Sequence, residues 1–140
     1  MNGRFTSIFF RNRQSAPCAA LILLCGIWLH PNLAAQSRNA DVNGTWDLTV
    51  ESQEGIARPS VTLNQEGEKI SGVYRGQIGE SRLEGSIKGN DISFTVTLKF
   101  QEVVNTIIYL GLVNQDSMSG TARFSGTAAT GKWTAQRRKN

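Results

Sequence analysis

Short runs of alternating apolar and polar residues follow one another from Thr45 to the C-terminal end of the chain. In the run at 91–100 every second residue is apolar, namely Ile92, Phe94, Val96, Leu98 and Phe100. The residues between them are serine, threonine or lysine. A period of two is typical of a strand with one face on a core and the other in water. The pattern therefore predicts antiparallel sheet with a single buried face.

Eight such runs are separated by short segments rich in Gly, Asn, Asp and Pro, which predict turns. The runs lie at 45–51, 60–65, 69–75, 81–87, 91–100, 106–113, 117–124 and 131–137. The connections are short, so strands that are adjacent in sequence should pair in space. The chain is therefore predicted to be all-β, an eight-stranded antiparallel up-and-down meander that forms either a closed barrel or a two-sheet sandwich.

Inward-facing glycines favour the barrel over the sandwich. On four predicted strands an apolar residue is followed two positions later by a glycine, at Gly72, Gly85, Gly111 and Gly120. Glycine weakens a strand, so its repetition on the inner face indicates bends where a small barrel coils, or space inside it. Closure also removes the two exposed edges of an open sheet. We therefore predict a closed barrel with unfilled space in its interior.

The first 35 residues have the order of features of a secretory signal peptide. Three arginines precede an apolar run at 20–29, and small residues follow up to Ala35. The apolar run is too short to span a bilayer comfortably. We expect cleavage after Ala35, a secreted or periplasmic location, and no membrane attachment afterwards. The remaining chain divides into a flexible N-terminal segment at 36–43 and a barrel domain at 44–140.

Removal of the leader changes the charge of the chain. The sequence has 15 Lys+Arg and 11 Asp+Glu, and three of the arginines lie in the leader, which leaves 15 − 3 = 12 against 11. The net charge is then near +1, and apart from the run at 137–139 the basic residues are scattered singly along the chain. This pattern predicts no nucleic-acid partner.

The same removal takes away most of the reactive side chains. Both cysteines, Cys18 and Cys25, and the only histidine, His30, lie in the leader. The rest of the chain therefore has no disulfide, thiolate or imidazole chemistry. It also lacks a metal-ligand spacing, a cofactor motif and paired carboxylates on inward parity. We expect a non-enzymatic protein without metal or cofactor.

Tryptophan and arginine stand at the two ends of the predicted sheet. The first strand begins with "GTW" at 44–46, and the last contains "KWTAQR" at 132–137. If the sheet closes, these strands pair, and Arg137 comes within reach of the ring of Trp46. A guanidinium on an indole face is favourable, and the indole covers a large apolar area. Trp46 and Arg137 are therefore predicted to close the barrel.

This combination resembles the signature of the calycins, the superfamily of lipocalins, fatty-acid-binding proteins and avidins. The chain is most similar to the avidin type, whose order it follows with "GTW", "ISGVY" at 70–74, "FTVTLKF" at 94–100 and "WTAQR" at 133–137. The resemblance implies an eight-stranded barrel over the whole exported chain. Tyr74 matches a biotin-contacting tyrosine of avidins. Leu98 stands where avidins have a cage tryptophan, so the resemblance does not extend to biotin.

The inward set predicts a ligand site, because ligand pockets are usually apolar with a few polar groups. The candidate ligand-binding residues are Tyr74, Phe94, Val96, Leu98, Tyr109, Met118, Phe124 and Trp133. We expect a small, mainly apolar molecule in the mouth of the barrel. Two alternatives remain open: a protein-binding barrel, such as a periplasmic protease inhibitor that acts through loops like 51–59, and a purely structural module.

The sixth predicted strand is apolar on both faces. Its outward residues, Ile108, Leu110 and Leu112, form a stripe that needs a cover, which a loop or another subunit would supply. The resemblance to avidins, which associate through outer barrel faces, favours a homo-oligomer through this strand.

Overall fold

The computed structural model describes residues 38–140, so the predicted leader, its cleavage point and residues 36–37 lie outside the described part. The strands are β1 (Gly44–Ser52), β2 (Gly55–Ala57), β3 (Ser60–Glu66), β4 (Lys69–Gly76), β5 (Gly79–Lys88), β6 (Asp91–Phe100), β7 (Val103–Asn114), β8 (Ser117–Phe124) and β9 (Thr130–Arg137). All eight predicted strands are confirmed. Within the described residues, no helix is long and apolar enough to cross a bilayer.

The strands form a closed antiparallel barrel, as predicted. From β3 to β9 each strand pairs with the next, β1 pairs with β3, and the β1–β9 pairing closes the ring. The additional strand, β2, pairs with the C-terminal part of β1, on the same side of β1 as β3. Arg58 and Pro59 separate β2 from β3. All three residues of β2 are exposed, so this strand lacks the alternation that identified the others.

The inner face of the barrel carries the core, and its parity agrees with the sequence pattern except at Phe100. This residue was expected to point inward, but 54% of its surface is exposed. Phe100 is the last residue of β6 and pairs with Val103 at the tip of the β6–β7 hairpin. The apolar–polar alternation of β6 continues to the tip of the β6–β7 hairpin, and this tip extends beyond the packed interior.

The inward glycines do not leave unfilled space, contrary to our expectation. A Cβ atom at Gly72, Gly85, Gly111 or Gly120 would overlap a backbone carbonyl oxygen of the neighbouring strand. Adjacent strands therefore approach too closely at these positions for any side chain. The glycines permit the coiling of a small barrel, which was the other explanation of their repetition.

The two ends of the barrel differ. The closed end holds the turns at 67–68, 89–90 and 115–116, together with residues 39–43. The opposite end, called the mouth here, holds the β1–β2, β4–β5 and β6–β7 hairpins and the loop at 125–129.

Residues 39–43, part of the segment 36–43 that the sequence predicts to be flexible, cross the closed end and contact it there. The backbone N–H of Ala40 donates to the carbonyl oxygen of Gly89 at 2.8 Å. Val42 is fully buried, and its N–H donates to Oε1 of Gln65 at 2.9 Å. The indole N–H of Trp46 donates to the carbonyl oxygen of Val42 at 2.9 Å. The buried valine and these backbone bonds hold the segment against the barrel.

Arg137 joins the parts of the closed end. Its guanidinium carbon lies 4.3 Å from the ring centroid of Trp46, with which it pairs in register. It donates to the carbonyl oxygens of Asp41, at 2.6 Å, and Asn43, and its Nε donates to Oδ1 of Asp116 at 2.9 Å. One side chain thus contacts both ends of the sheet, the crossing segment and the β7–β8 turn.

A double-mutant cycle tests this closure. We expect Trp46→Ala to lower the free energy of unfolding by about 3–5 kcal/mol, because it removes a large buried side chain. Arg137→Ala should cost about 1–2 kcal/mol through the lost stacking and hydrogen bonds. The coupling between the two changes, measured by urea denaturation, should be at least about 0.5 kcal/mol.

Arg138 supplies the matched control, because it is adjacent but pairs with Asp47 on the exposed surface. Arg138→Ala should change stability by less than about 0.5 kcal/mol and show no coupling to Trp46→Ala. Strictly additive effects of Trp46→Ala and Arg137→Ala would contradict the closure.

Candidate binding site

The mouth carries exposed apolar side chains on three separate hairpins. The exposed fractions are 61% for Ile56, 53% for Ile78, 54% for Phe100 and 56% for Val103. These four residues are called the rim. Hairpin tips are usually polar, so apolar residues on three neighbouring tips indicate a surface that contacts another molecule.

A recess of about 90 Å³ opens beside the rim. It is lined by Ala57, Arg58, Pro59, Tyr74, Gly76, Gln77, Ile78 and Leu98. A volume of this size takes one small apolar group, since a dry cavity of about 150 Å³ holds one benzene. The recess therefore fits the end of a ligand rather than a whole elongated molecule.

Local sequence features build this recess. Pro59 interrupts the β2–β3 line, because proline cannot donate to the ladder. Gly76 ends β4, and a Cβ there would lie 2.9 Å from the ring of Tyr74. The missing side chain lets the phenol lie across the end of β4. Arg58 is exposed and places a cation at the edge of the opening, which is lined mainly by apolar groups together with Gln77.

Below the recess, Tyr74 interacts with Tyr109. Burial raises the pKa of Tyr74, and the hydrogen bond from Tyr109 opposes that rise. Burial also raises the pKa of Tyr109 far above its usual range, and the charge and hydrogen bond of Tyr74 add to the rise. Both phenols are therefore neutral over the physiological pH range and act only as hydrogen-bonding groups.

An aromatic cluster fills the interior further down. Phe94 stacks on Tyr109 with ring centroids 4.7 Å apart, and Trp133 meets each of them edge-on at 5.7 Å. The indole N–H of Trp133 donates to the carbonyl oxygen of Leu110 at 3.1 Å. A Cβ at Gly111 would lie 2.6 Å from the same indole, so the absence of a side chain at this position makes room for the ring.

The structure separates the eight predicted ligand-binding residues into two groups. Tyr74 and Leu98 line the recess. Phe94, Val96, Tyr109, Met118 and Trp133 are buried, and Phe124 is half-buried against the same core. From the sequence, Arg58 is included only within the loop 51–59 of the protein-binding alternative, and Ile78 is not identified. The signal that was present was an isoleucine in a turn between two strands, where a polar residue is usual.

The described residues offer little reactive chemistry. No group of three or more His, Cys, Asp or Glu within 38–140 is placed to hold a metal ion. A second groove, of about 560 Å³, lies on the outer surface between β5 and β6 and is lined mostly by charged and hydroxyl side chains. Of these two openings, the recess at the mouth is the one that has apolar lining residues together with a buried tyrosine, Tyr74.

No protein-family model matches the chain, and no curated protein matches it either. The fold that the structure defines is an eight-stranded antiparallel closed barrel with one extra short strand.

Alkaline titration tests the tyrosine pair. Tyr74 and Tyr109 are the only two tyrosines of the chain, so absorbance at 295 nm reports on them alone. Their folded-state pKa values are raised above the ordinary range of a tyrosine. The unfolded chain therefore loses protons above about pH 10 while the folded chain keeps them, and stability falls as pH rises through that range. We expect tyrosinate to appear only together with unfolding. A reversible titration of both tyrosines near pH 10 in folded protein would contradict the buried pair.

A single methyl group tests the packing at the inward glycines. Gly120→Ala should lower the free energy of unfolding by about 1–3 kcal/mol, because the new Cβ overlaps the backbone of β7. The control Ser119→Ala, on the outer face, should stay within about 0.5 kcal/mol of the wild type. A neutral or stabilising Gly120→Ala would show that space exists inside the barrel.

Proposed function

We propose that the protein is a non-enzymatic binding barrel that takes a small, mainly apolar molecule at its mouth. The observation that carries the proposal is the coincidence of the apolar rim and the recess at one end of the barrel, while the other end is closed by Arg137 and residues 39–43. A ligand of this class is buried at one end and held by a few polar groups.

The recess sets the size and polarity of the ligand. Its volume of about 90 Å³ accepts one small apolar group between Tyr74 and Leu98. The rest of the ligand lies against the rim, whose side chains are already exposed to water. Arg58 at the edge favours a molecule with one acidic group, because a guanidinium pairs with a carboxylate in two hydrogen bonds. A short-chain or medium-chain carboxylic acid meets these requirements.

One feature of the sequence and one of the structure extend this proposal to the location and the family of the protein. The leader-like first 35 residues support export, so that the barrel acts outside the cytoplasm or in a periplasm. The contact of Arg137 with Trp46, together with the avidin-like order of motifs, supports kinship with the calycins. Both remain proposals about this chain.

A second candidate is a protein partner that inserts an apolar side chain into the recess. The rim favours it, because four exposed apolar residues extend well beyond a recess of about 90 Å³. The partner would then contact the β1–β2 hairpin, which lies within the segment 51–59. In both cases the same end of the barrel is the binding surface.

Calorimetric titration with decanoate tests the first candidate. We expect saturable binding, a loss of affinity of at least about tenfold in Ile78→Ser, and a similar loss in Arg58→Glu. The matched controls are Leu112→Ser, which removes a side chain of similar exposure on the outer face, and Arg82→Glu, on the outer face of β5. Both should bind like the wild type.

The outcome separates the candidates. No saturable binding of decanoate, or of apolar molecules without a carboxylate, would overturn the small-molecule proposal and leave the protein partner. Equal losses in the rim variants and their controls would show that the mouth is not the site.

A further inference from the structure

The outer surface over β6 and β7 has an apolar centre. Ile108, Leu110 and Leu112 point outward from β7 with exposed fractions of 38%, 36% and 57%. On β6, Ser93 lies beside Leu110 and Thr95 beside Ile108. This surface is called the β6–β7 face. Its β6 side chains are too short to cover the aliphatic residues, which therefore remain in water unless another molecule packs on them.

Charges stand at the two ends of this face and have opposite signs. The outward residues of β6 are, in order, Asp91, Ser93, Thr95, Thr97 and Lys99. Asp91 is level with Leu112 near the closed end, and Lys99 is level with Val104 near the mouth. Each lies four residues from Thr95. Consider an axis that passes through Thr95, at right angles to the strands and parallel to the sheet. A rotation of 180° about this axis would place Lys99 of a second copy opposite Asp91 of the first.

We propose that the β6–β7 face binds a second copy of this chain in a two-fold dimer, with the β6 strands antiparallel and the axis at Thr95 and Ile108. In a two-fold dimer every contact between two different residues occurs twice, once in each direction. Asp91 then faces Lys99 of the second copy, twice. The self-complementary order of charges is the reason to choose a second copy over an unrelated partner, for which no such symmetry is needed.

The apolar residues follow the same rotation. Ile108 meets Ile108 of the second copy on the axis, and Leu112 meets Val104, which is itself 56% exposed. Leu110 meets Thr106, whose methyl group offers an apolar contact. The outward aliphatic residues of β7 are thus covered by the second copy, and the hydroxyl groups of β6 lie beside them.

The flanking strands are compatible with this packing. On β5, Lys88 lies beside Asp91, and Glu80, which is paired with Arg75, lines the same groove as Lys99. Glu84 and Arg123 are level with the axis but one strand further out on each side. Eight strands complete the circle, so each is turned roughly 45° from the next. These two side chains therefore point away from the partner into water.

Sedimentation velocity of the purified protein tests the dimer. We expect the wild type to sediment as a dimer at micromolar concentration, and Leu110→Glu to sediment as a monomer with an unchanged far-ultraviolet circular dichroism spectrum. The matched control, Asn64→Glu, adds the same charge at an exposed position of β3 on the far side of the barrel and should leave the dimer intact. A wild type that is monomeric at millimolar concentration, or a Leu110→Glu variant that stays dimeric, would overturn the proposal.

A charge exchange tests the antiparallel arrangement and does not involve the mouth. Asp91→Lys and Lys99→Asp should each raise the dimer dissociation constant at least about tenfold, because each brings like charges together at both ends. The double variant restores opposite charges and should return to within about threefold of the wild type. Lys132→Asp on β9, outside the face, should have no effect. A double variant as weak as the single ones would contradict the two-fold arrangement.

Discussion

The barrel depends on the contact of Arg137 with Trp46, because this contact lies where the first and last strands meet. The planar guanidinium stacks on the indole and still has N–H groups for the carbonyl oxygens of Asp41 and Asn43 and for Asp116. A lysine could supply the charge but neither the stacked plane nor the fork of donors. The same side chain therefore takes part in the β1–β9 pairing and in the cover of one barrel end, and the opposite end is the mouth.

Filling of the interior follows from the coiling of the sheet. Where glycines allow strands to approach closely, there is no room for a Cβ, and the large rings of Phe94, Tyr109 and Trp133 occupy the interior instead. Within residues 38–140, no buried side-chain nitrogen or oxygen lacks a hydrogen-bond partner. A packed and satisfied interior leaves the surface at the mouth and the outer face of β6 and β7 as the regions available for binding.

The fold could be predicted from the sequence to a large extent, because a two-residue period and short turns specify both strand pairing and the inward face. Trp46 and Arg137 could be paired for the same reason, since closure requires that β1 and β9 meet. The parity rule was wrong at Phe100, where a strand extends past the core it faces. It also missed β2, whose residues are all exposed and carry no alternation.

The recess at the mouth could be predicted less well than the fold, because an inward direction does not distinguish a cavity wall from a packed core. Gly120 has the same sequence signature whether it leaves space or touches the strand beside it, and only the distance between strands decides. Arg58 and Ile78 lie outside the strands that the alternation identified, so the pattern assigned them no face. Both line the recess because the connection between β2 and β3 and the β4–β5 hairpin meet at the mouth.

Hydrogen exchange of the Trp133 indole N–H, followed by NMR, tests the packed interior most directly. We expect this proton to exchange as slowly as the most protected backbone amides of β7 and β9, through global unfolding, because it is bonded to Leu110 beside an aromatic cluster. Exchange within minutes, while those backbone amides stay protected, would show water in the interior and contradict the account.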